Sequence, residues 1–236
     1  MALPKQQTPI YSTIIPTMDK EIKFSPFLVK HEKCLLLAQQ SEDDDTMVDT
    51  LKDVVKDCIK TDIDVDKLAI VDLEYLFSQI RAKSVGEIVD LIFPCDVCDS
   101  QKATVKISFD LTKLKIDKHP DHNKKISLFD DVGIVMKYPS INILKKLKSN
   151  ELSIDDLFLL IVDSIEYIYD SEEIYYTKEQ TAEEVTEFIN NLTQDQFNKI
   201  QQFYDTMPRL RQYVSYNCPV CGLAHNKVLE GIESFF

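Results

Sequence analysis

The stretch Cys218-Pro-Val-Cys221-Gly222 places two thiols on one tight turn, and Cys95-Asp-Val-Cys98 has the same spacing earlier in the chain. In the later stretch, the proline presets the turn, and the glycine tolerates the backbone twist that follows the second thiol. A Cys-x-x-Cys turn lets both sulfurs approach one metal ion at about 2.3 Å, and two such turns complete a tetrahedron. We therefore predict that the four cysteines bind one structural zinc ion.

The two cysteine pairs are separated by the 119 residues between Cys98 and Cys218, a wider gap than in an ordinary zinc ribbon. A shared metal ion would join the middle of the chain to its last segment. Closing so long a loop is entropically unfavourable, but the penalty grows only logarithmically with loop length. Structural zinc binding, roughly 10–16 kcal/mol in small peptides, can outweigh that penalty. Four sulfur ligands leave no open coordination position, which predicts a structural and not a hydrolytic site.

Other interpretations of these residues stay open. The two pairs can be reduced thiols without a metal ion, or a redox pair. His225, four residues after Cys221, can replace one sulfur, although four sulfurs already suffice. His119-Pro-Asp-His122 can also chelate a metal ion, but its polar, lysine-flanked surroundings are more typical of a surface loop. The sequence does not decide whether His225 or His122 contributes to the metal site.

The remaining cysteines, Cys34 and Cys58, fall on apolar faces of predicted helices, so we expect both to be small core residues. The printed sequence begins without the apolar stretch of a signal peptide. It also contains no apolar run close to the roughly 20 residues that span a bilayer. We therefore expect a reducing cytoplasm, in which paired cysteines bind metal ions rather than form disulfides.

The charge and the glycine content exclude several function classes. The net charge is -13, from 40 acidic and 27 basic residues, and such a surface repels nucleic-acid phosphates and anionic lipid. The four glycines are scattered, whereas a phosphate-binding loop needs them clustered. Nucleotide-binding fingerprints, the Gly-x-Ser-x-Gly elbow and the His-Glu-x-x-His helix are absent from the sequence. We predict a protein without catalytic residues that binds neither nucleic acid nor membrane.

The hydrophobic periodicity changes several times along the chain and predicts an α+β fold. Ser153 to Tyr169 is expected to form one helix, and Thr181 and Thr193 begin capping boxes of two further helices. We expect a single globular unit of mixed helices and antiparallel sheet with a split zinc-ribbon-like four-cysteine site, in which 26–236 forms one integrated domain. The predicted segments are a β-hairpin arm (1–25), a helical segment (26–85), a β-rich segment with the first cysteine pair (86–140), a helical segment (141–206) and a β segment with the second pair (207–236).

Several segments in this order resemble the baseplate hub assembly subunits of T-even-type contractile-tailed phages. The matching segments are Met1-Ala-Leu-Pro-Lys5, Pro26-Phe-Leu-Val-Lys30-His-Glu-Lys33, Asp72-Leu-Glu-Tyr-Leu-Phe77, Ile80-Arg-Ala-Lys-Ser-Val-Gly86, the closing Cys-Pro-Val-Cys-Gly and Leu229-Glu-Gly-Ile-Glu-Ser-Phe-Phe236. The first cysteine pair departs from the Cys-Pro-x-Cys-Gly form common in that family, because this chain has Cys-Asp-Val-Cys-Asp there. The resemblance implies the same four cysteine ligands, Cys95, Cys98, Cys218 and Cys221.

The resemblance also implies a non-enzymatic role in building the central hub of the tail baseplate, with hub or tape-measure proteins as partners. Assembly would take place in the host cytoplasm, and the protein would either stay in the baseplate of the virion or leave it as an assembly chaperone. Phe235 and Phe236 are expected either to anchor a neighbouring protein or to pack on this protein's own sheet. Two other classes stay open: a zinc-ribbon module associated with nucleic acid, which the charge disfavours, and an enzyme that uses zinc or a cysteine pair as a redox centre.

Overall fold

The computed structural model describes residues 7–41, 43–98, 102–144 and 153–231. The predictions for Met1–Lys5, Phe235 and Phe236 lie outside the described residues. The helices are α1 (Val29–Ser41), α2 (Asp44–Cys58), α3 (Ile70–Ser84), α4 (Ile141–Leu144), α5 (Ile154–Ser164), α6 (Ala182–Asn190) and α7 (Gln194–Thr206). The strands are β1 (Tyr11–Ile15), β2 (Lys20–Phe24), β3 (Ile88–Pro94), β4 (Thr104–Asp110), β5 (Ile116–Asp117), β6 (Lys125–Phe129), β7 (Val132–Met136), β8 (Ile165–Tyr169), β9 (Ile174–Tyr176), β10 (Arg209–Asn217) and β11 (Ala224–Glu230).

The strands form antiparallel sheets, and this mixture with helices confirms the predicted α+β class. The chain divides into two compact units, each made of stretches that are distant in sequence. Unit 1 comprises Met1–Val65, Val71–Asp117 and Arg209–Phe236, and unit 2 comprises Asp66–Ile70 and Lys118–Pro208. Both cysteine pairs belong to unit 1. The division into five segments stays a prediction. Among the described helices, none combines the length and apolar character needed to cross a bilayer.

The hairpin of β1 and β2 is tied to the helices of unit 1. Its inward-facing Ile15 and Ile22 are fully buried. At the turn between the strands, the backbone N–H of Thr17 donates to the carboxylate of Asp72 on α3 at 3.2 Å, and the Thr17 hydroxyl donates to the same carboxylate. The third helix buries more of its residues than α1 or α2, as its wide apolar arc predicts.

The sheets of unit 1 carry the cysteine pairs. β3 and β4 form a hairpin in full register, and β10 lies between β11 and β5. Along β3 the side chains alternate, so Phe93 turns inward and packs against Val214 and Tyr216 of β10. A neighbouring apolar cluster links α3 to both sheets through Ala82, Leu210 and their neighbours. Because the ends of β3 and β10 are held by this packing, the cysteines that follow them have defined positions.

Unit 2 contains a four-stranded sheet in the order β6-β7-β8-β9, with α5, α6 and α7 packed on its core. Ile134, Ile165 and Ile200 are fully buried in that core. The capping boxes predicted at Thr181 and Thr193 are present, since each threonine and the residue three positions later satisfy each other's backbone N–H groups.

The helix predicted from Ser153 to Tyr169 was wrong in its last five residues. Helix α5 ends at Ser164, and the next five residues form β8, which pairs with β7 and β9. This stretch contains two isoleucines and two tyrosines, and such β-branched and aromatic residues suit a pleated strand. Its pairing partners lie elsewhere in the sequence. Long-range pairing therefore overrides the local helical pattern.

The two cysteines outside the pairs have different environments. Cys58 at the end of α2 is buried, as predicted, and burial raises the pKa of its thiol to about 11. Cys34 is exposed, so the prediction that it is a core residue was wrong. Helix α1 buries only the narrow stripe that contains His31 and Ala38. Periodicity indicates which residues share a face, but not how much of that face a neighbour covers.

Candidate metal centre

Each cysteine pair lies on a turn that follows a strand end. The first turn follows β3 and is closed by the backbone N–H of Cys95, which donates to the carbonyl of Ala103 at 2.8 Å. The second follows β10, where the N–H of Cys218 donates to the carbonyl of Leu223 at 2.8 Å. Gly222 has a φ of 74°, the left-handed conformation that its place after the second thiol was predicted to need.

The four thiols converge on one point. The sulfur atoms of Cys95, Cys98, Cys218 and Cys221 all lie within 4.8 Å of one another, and the pairs Cys95–Cys221 and Cys98–Cys218 are each 3.9 Å apart. A tetrahedral zinc ion with bonds of about 2.3 Å needs sulfur–sulfur separations of about 3.8 Å. The residues therefore fit a tetrahedral metal ion with sulfur ligands, and small inward shifts complete the shell.

The surroundings of the thiols differ in polarity and exposure. Cys95 and Cys218 are buried, Cys98 is half-buried and Cys221 is exposed. Backbone N–H groups of Cys221 and Val220 that point at the sulfur lower the pKa of Cys218 to about 6. The neighbouring thiols, with Cys221 as the largest influence, raise the pKa of the Cys98 thiol to about 12. The pKa values of Cys218 and Cys98 are thus shifted in opposite directions, whereas a bound divalent cation favours the thiolate form of all four ligands.

A second layer of side chains from β11 contacts the first cysteine turn. The Nε2 atom of the buried His225 lies 3.2 Å from the sulfur of Cys95, and its Nδ1 lies 3.6 Å from the carboxylate of Asp96. Lys227 donates to Asp96 at 2.7 Å, and this bond holds the pKa of the Asp96 carboxyl below its usual range. The ring of Tyr216 stacks on His225 with centroids 4.9 Å apart. His225 therefore lies beside the sulfur cluster at hydrogen-bond distance from one member.

The sequence did not identify Asp96, Tyr216 or Lys227 as part of the site. One signal was available for Lys227: positions 225 and 227 lie on the same face of a strand that begins just after the second cysteine turn. The position of Asp96 explains how the first turn is stabilised without the proline and glycine of the second. Its carboxylate is held by side chains of β11 rather than by local backbone preference.

The histidine pair that could chelate a metal ion has another role. In unit 2, the ring nitrogens of His122 lie 3.0 Å from the hydroxyl oxygens of Thr206 and Tyr138, and its ring packs against Tyr138 and Phe203. Burial lowers the pKa of His122. His119 is exposed. His122 therefore packs between Tyr138 and helix α7 instead of lying in the plain surface loop that the sequence favoured.

The fold and the site together define an α+β protein with four converging thiols that can hold a metal ion. The family described as T4 bacteriophage base plate protein matches residues 8–236, so the chain belongs to this family of phage baseplate proteins. This match confirms the baseplate part of the resemblance and indicates a structural role among other baseplate components. Comparison with curated proteins and with solved structures gave no match.

Proposed function

We propose that this protein is a zinc-stabilised, non-enzymatic subunit of the central hub of the phage tail baseplate. The observation that carries the zinc part is the convergence of four sulfurs within 4.8 Å from two distant parts of the sequence. Cys95, Cys98, Cys218 and Cys221 would hold the ion, and the ion would supply a rigid cross-link without chemistry on a substrate. Four thiolates occupy every position of a tetrahedral ion, which leaves none for water or a reactant.

The packing around the thiols supports a structural ion. The apolar cluster at this end of unit 1 is small: Cys95, Ala103 and Cys218, with Cys98 packed against them. So few small side chains bury little apolar surface, and burial of such surface contributes only about 25 cal/mol per Å². An ion shared by the β3–β4 hairpin and the β10–β11 hairpin would stabilise the contact between them, where few apolar side chains are buried.

The outer surface of the two cysteine turns offers a contact for a neighbouring baseplate protein. Val97 and Val220, at the tips of the turns, are 71% and 56% exposed, and Leu223 beside them is 44% exposed. Exposed apolar side chains at these positions are available for contact with a protein partner. The metal ion would fix the shape of the surface that carries them. The hub assignment itself rests on the resemblance of the sequence segments, and its partners would be hub or tape-measure proteins.

One experiment tests location and metal together. The protein is purified from infected cells under reducing conditions, with its bound partners, and the same sample is analysed for metal. We expect about one zinc ion per chain, with hub or tape-measure proteins in the complex and the protein retained in purified tails. Soluble complexes without retention in tails would identify an assembly chaperone instead. Iron in place of zinc, or no metal, would contradict the zinc part, and salt-sensitive association with nucleic acid would contradict the hub role.

A further inference from the structure

The buried His225 makes a contact that the four-sulfur site does not require. Its Nε2 atom is 3.2 Å from the sulfur of Cys95, a distance within hydrogen-bond range for a nitrogen and a sulfur. The four sulfurs already make a complete tetrahedral shell, which leaves no position for a nitrogen ligand. The position of His225 is thus that of a neighbour to a ligand.

The ring of His225 is held in one orientation from two sides. Tyr216 stacks on it with an interplanar angle of 17° and is its cross-strand partner in the β10–β11 pairing. The Tyr216 hydroxyl in turn donates to the carbonyl of Pro94, the residue before Cys95, at 2.8 Å. Asp96 lies on the Nδ1 side of the ring and is itself bound by Lys227. The contact of Nε2 with sulfur is therefore built into the packing of the two hairpins.

We propose that His225 is a positioning residue whose Nε2–H donates a hydrogen bond to the thiolate of Cys95. A lone pair on Nε2 would face the negative sulfur and be repelled, whereas an N–H is attracted to it. Four thiolates around a divalent ion leave two excess negative charges, and a donor to one sulfur stabilises that charge. Partners of this kind orient the ligand, and their removal typically weakens metal binding 10–100-fold. This inference rests on the proposed zinc site.

The test uses the full chain loaded with zinc or with cobalt(II) as a spectroscopic probe. His225→Phe keeps a ring to stack on Tyr216 but removes the donor, and His119→Phe makes the same substitution at an exposed histidine outside the site. We expect His225→Phe to weaken zinc binding about tenfold or more. The ligand-field bands of the cobalt protein should keep their four-sulfur pattern while the sulfur-to-cobalt charge-transfer band moves to lower energy. His119→Phe should leave that band in place.

The outcomes separate the possibilities. Unchanged affinity and an unchanged charge-transfer band in His225→Phe would overturn the donor role. If the ligand-field bands of the wild type show three sulfurs and one nitrogen and lose that pattern in His225→Phe, His225 is a ligand. That result also overturns the donor role. Failure of the wild type to bind zinc or cobalt would overturn the proposed site itself. If His225→Phe does not fold, nitrogen-15 NMR of the wild-type zinc form decides, because an unprotonated Nε2 contradicts the donor role.

Discussion

The sulfur atoms of Cys98 and Cys218 lie 3.9 Å apart, although the two residues are 120 positions apart in the sequence. Cys98 lies beyond the end of β3 and Cys218 directly follows β10, so the contact closes a loop that contains all of unit 2's long segment, Lys118–Pro208. A metal ion at this point would stabilise unit 1 by restricting its unfolded chain as well as by bonding in the folded state.

Replacing one thiol tests whether unit 1 depends on the four-sulfur site. Cys95→Ser removes a buried ligand, so we expect zinc content to fall well below one ion per chain and the thermal midpoint to drop by about 5 °C or more. Metal analysis and thermal unfolding under reducing conditions measure both. Cys34→Ser is the matched control, because Cys34 is an exposed cysteine of the same unit and should change neither. An equal loss in both variants would contradict a specific role for Cys95.

The exposed tips of the cysteine turns are predicted to contact a neighbouring baseplate protein. Val97→Lys and Val220→Lys place a charge in that contact without touching the sulfurs, so we expect normal zinc content and thermal stability but less incorporation into tails. Complementation of a phage that lacks the protein, followed by quantification in purified tails, measures this. Val29→Lys is the control, since Val29 on α1 is 79% exposed. Full incorporation of both Val97→Lys and Val220→Lys into tails would contradict a role of this surface in binding a neighbouring protein.

The buried carboxylate of Asp72 is predicted to hold the N-terminal hairpin on α3. Asp72 is fully buried and accepts hydrogen bonds from the backbone and hydroxyl of Thr17. Asp72→Asn keeps the size of the side chain but replaces one acceptor oxygen by a donor. We therefore expect the free energy of unfolding to fall by about 2 kcal/mol. Denaturant unfolding measures the change. Asp53→Asn, at an exposed position of α2, should stay within about 0.5 kcal/mol of the wild type, and a similar loss there would contradict the assignment.

His122 is predicted to make unit 2 sensitive to acid. Burial lowers its pKa in the folded protein below the ordinary value of 6.5, so the unfolded state binds more protons in the interval between the two values. Stability should therefore fall as the pH is lowered through about 6.5 and level off once the pH is below the folded pKa. Hydrogen exchange of β7 and α7 between about pH 7 and pH 5 measures this dependence.

The matching variant is His122→Gln, which cannot titrate in that interval. Its exchange should show a weaker pH dependence than the wild type, even if its overall stability is lower. His119→Gln is the control, because His119 is exposed in the same stretch. If wild type and His122→Gln respond equally to acid, another group causes the response.

Local patterns predicted much of the fold but not where β8 begins. The capping boxes at Thr181 and Thr193 are short-range signals, and the structure confirms them. Ile165–Tyr169 is different, because its apolar residues follow α5 with no glycine or proline between them. Only the pairing with β7, a strand about thirty residues earlier, shows that these residues are extended. The local sequence of β8 does not indicate that β7 is its pairing partner.

The four thiols of the site could be predicted from the sequence, but the side chains around them could not. Cys-x-x-Cys spacing places two sulfurs on one turn and is visible in the sequence, so the two pairs could be recognised and matched. Asp96 and Tyr216 lie close to cysteines in the sequence, but no spacing pattern marks them, and Lys227 reaches Asp96 because β11 pairs with β10. The exposure of Cys34 was missed for the same reason, since it depends on what covers α1.

X-ray absorption at the zinc edge of the purified, reduced protein tests the central claim most directly. We predict one zinc ion per chain with a first shell of four sulfur atoms at about 2.3 Å. A shell that includes nitrogen or oxygen, or a protein that retains no zinc, would contradict the account.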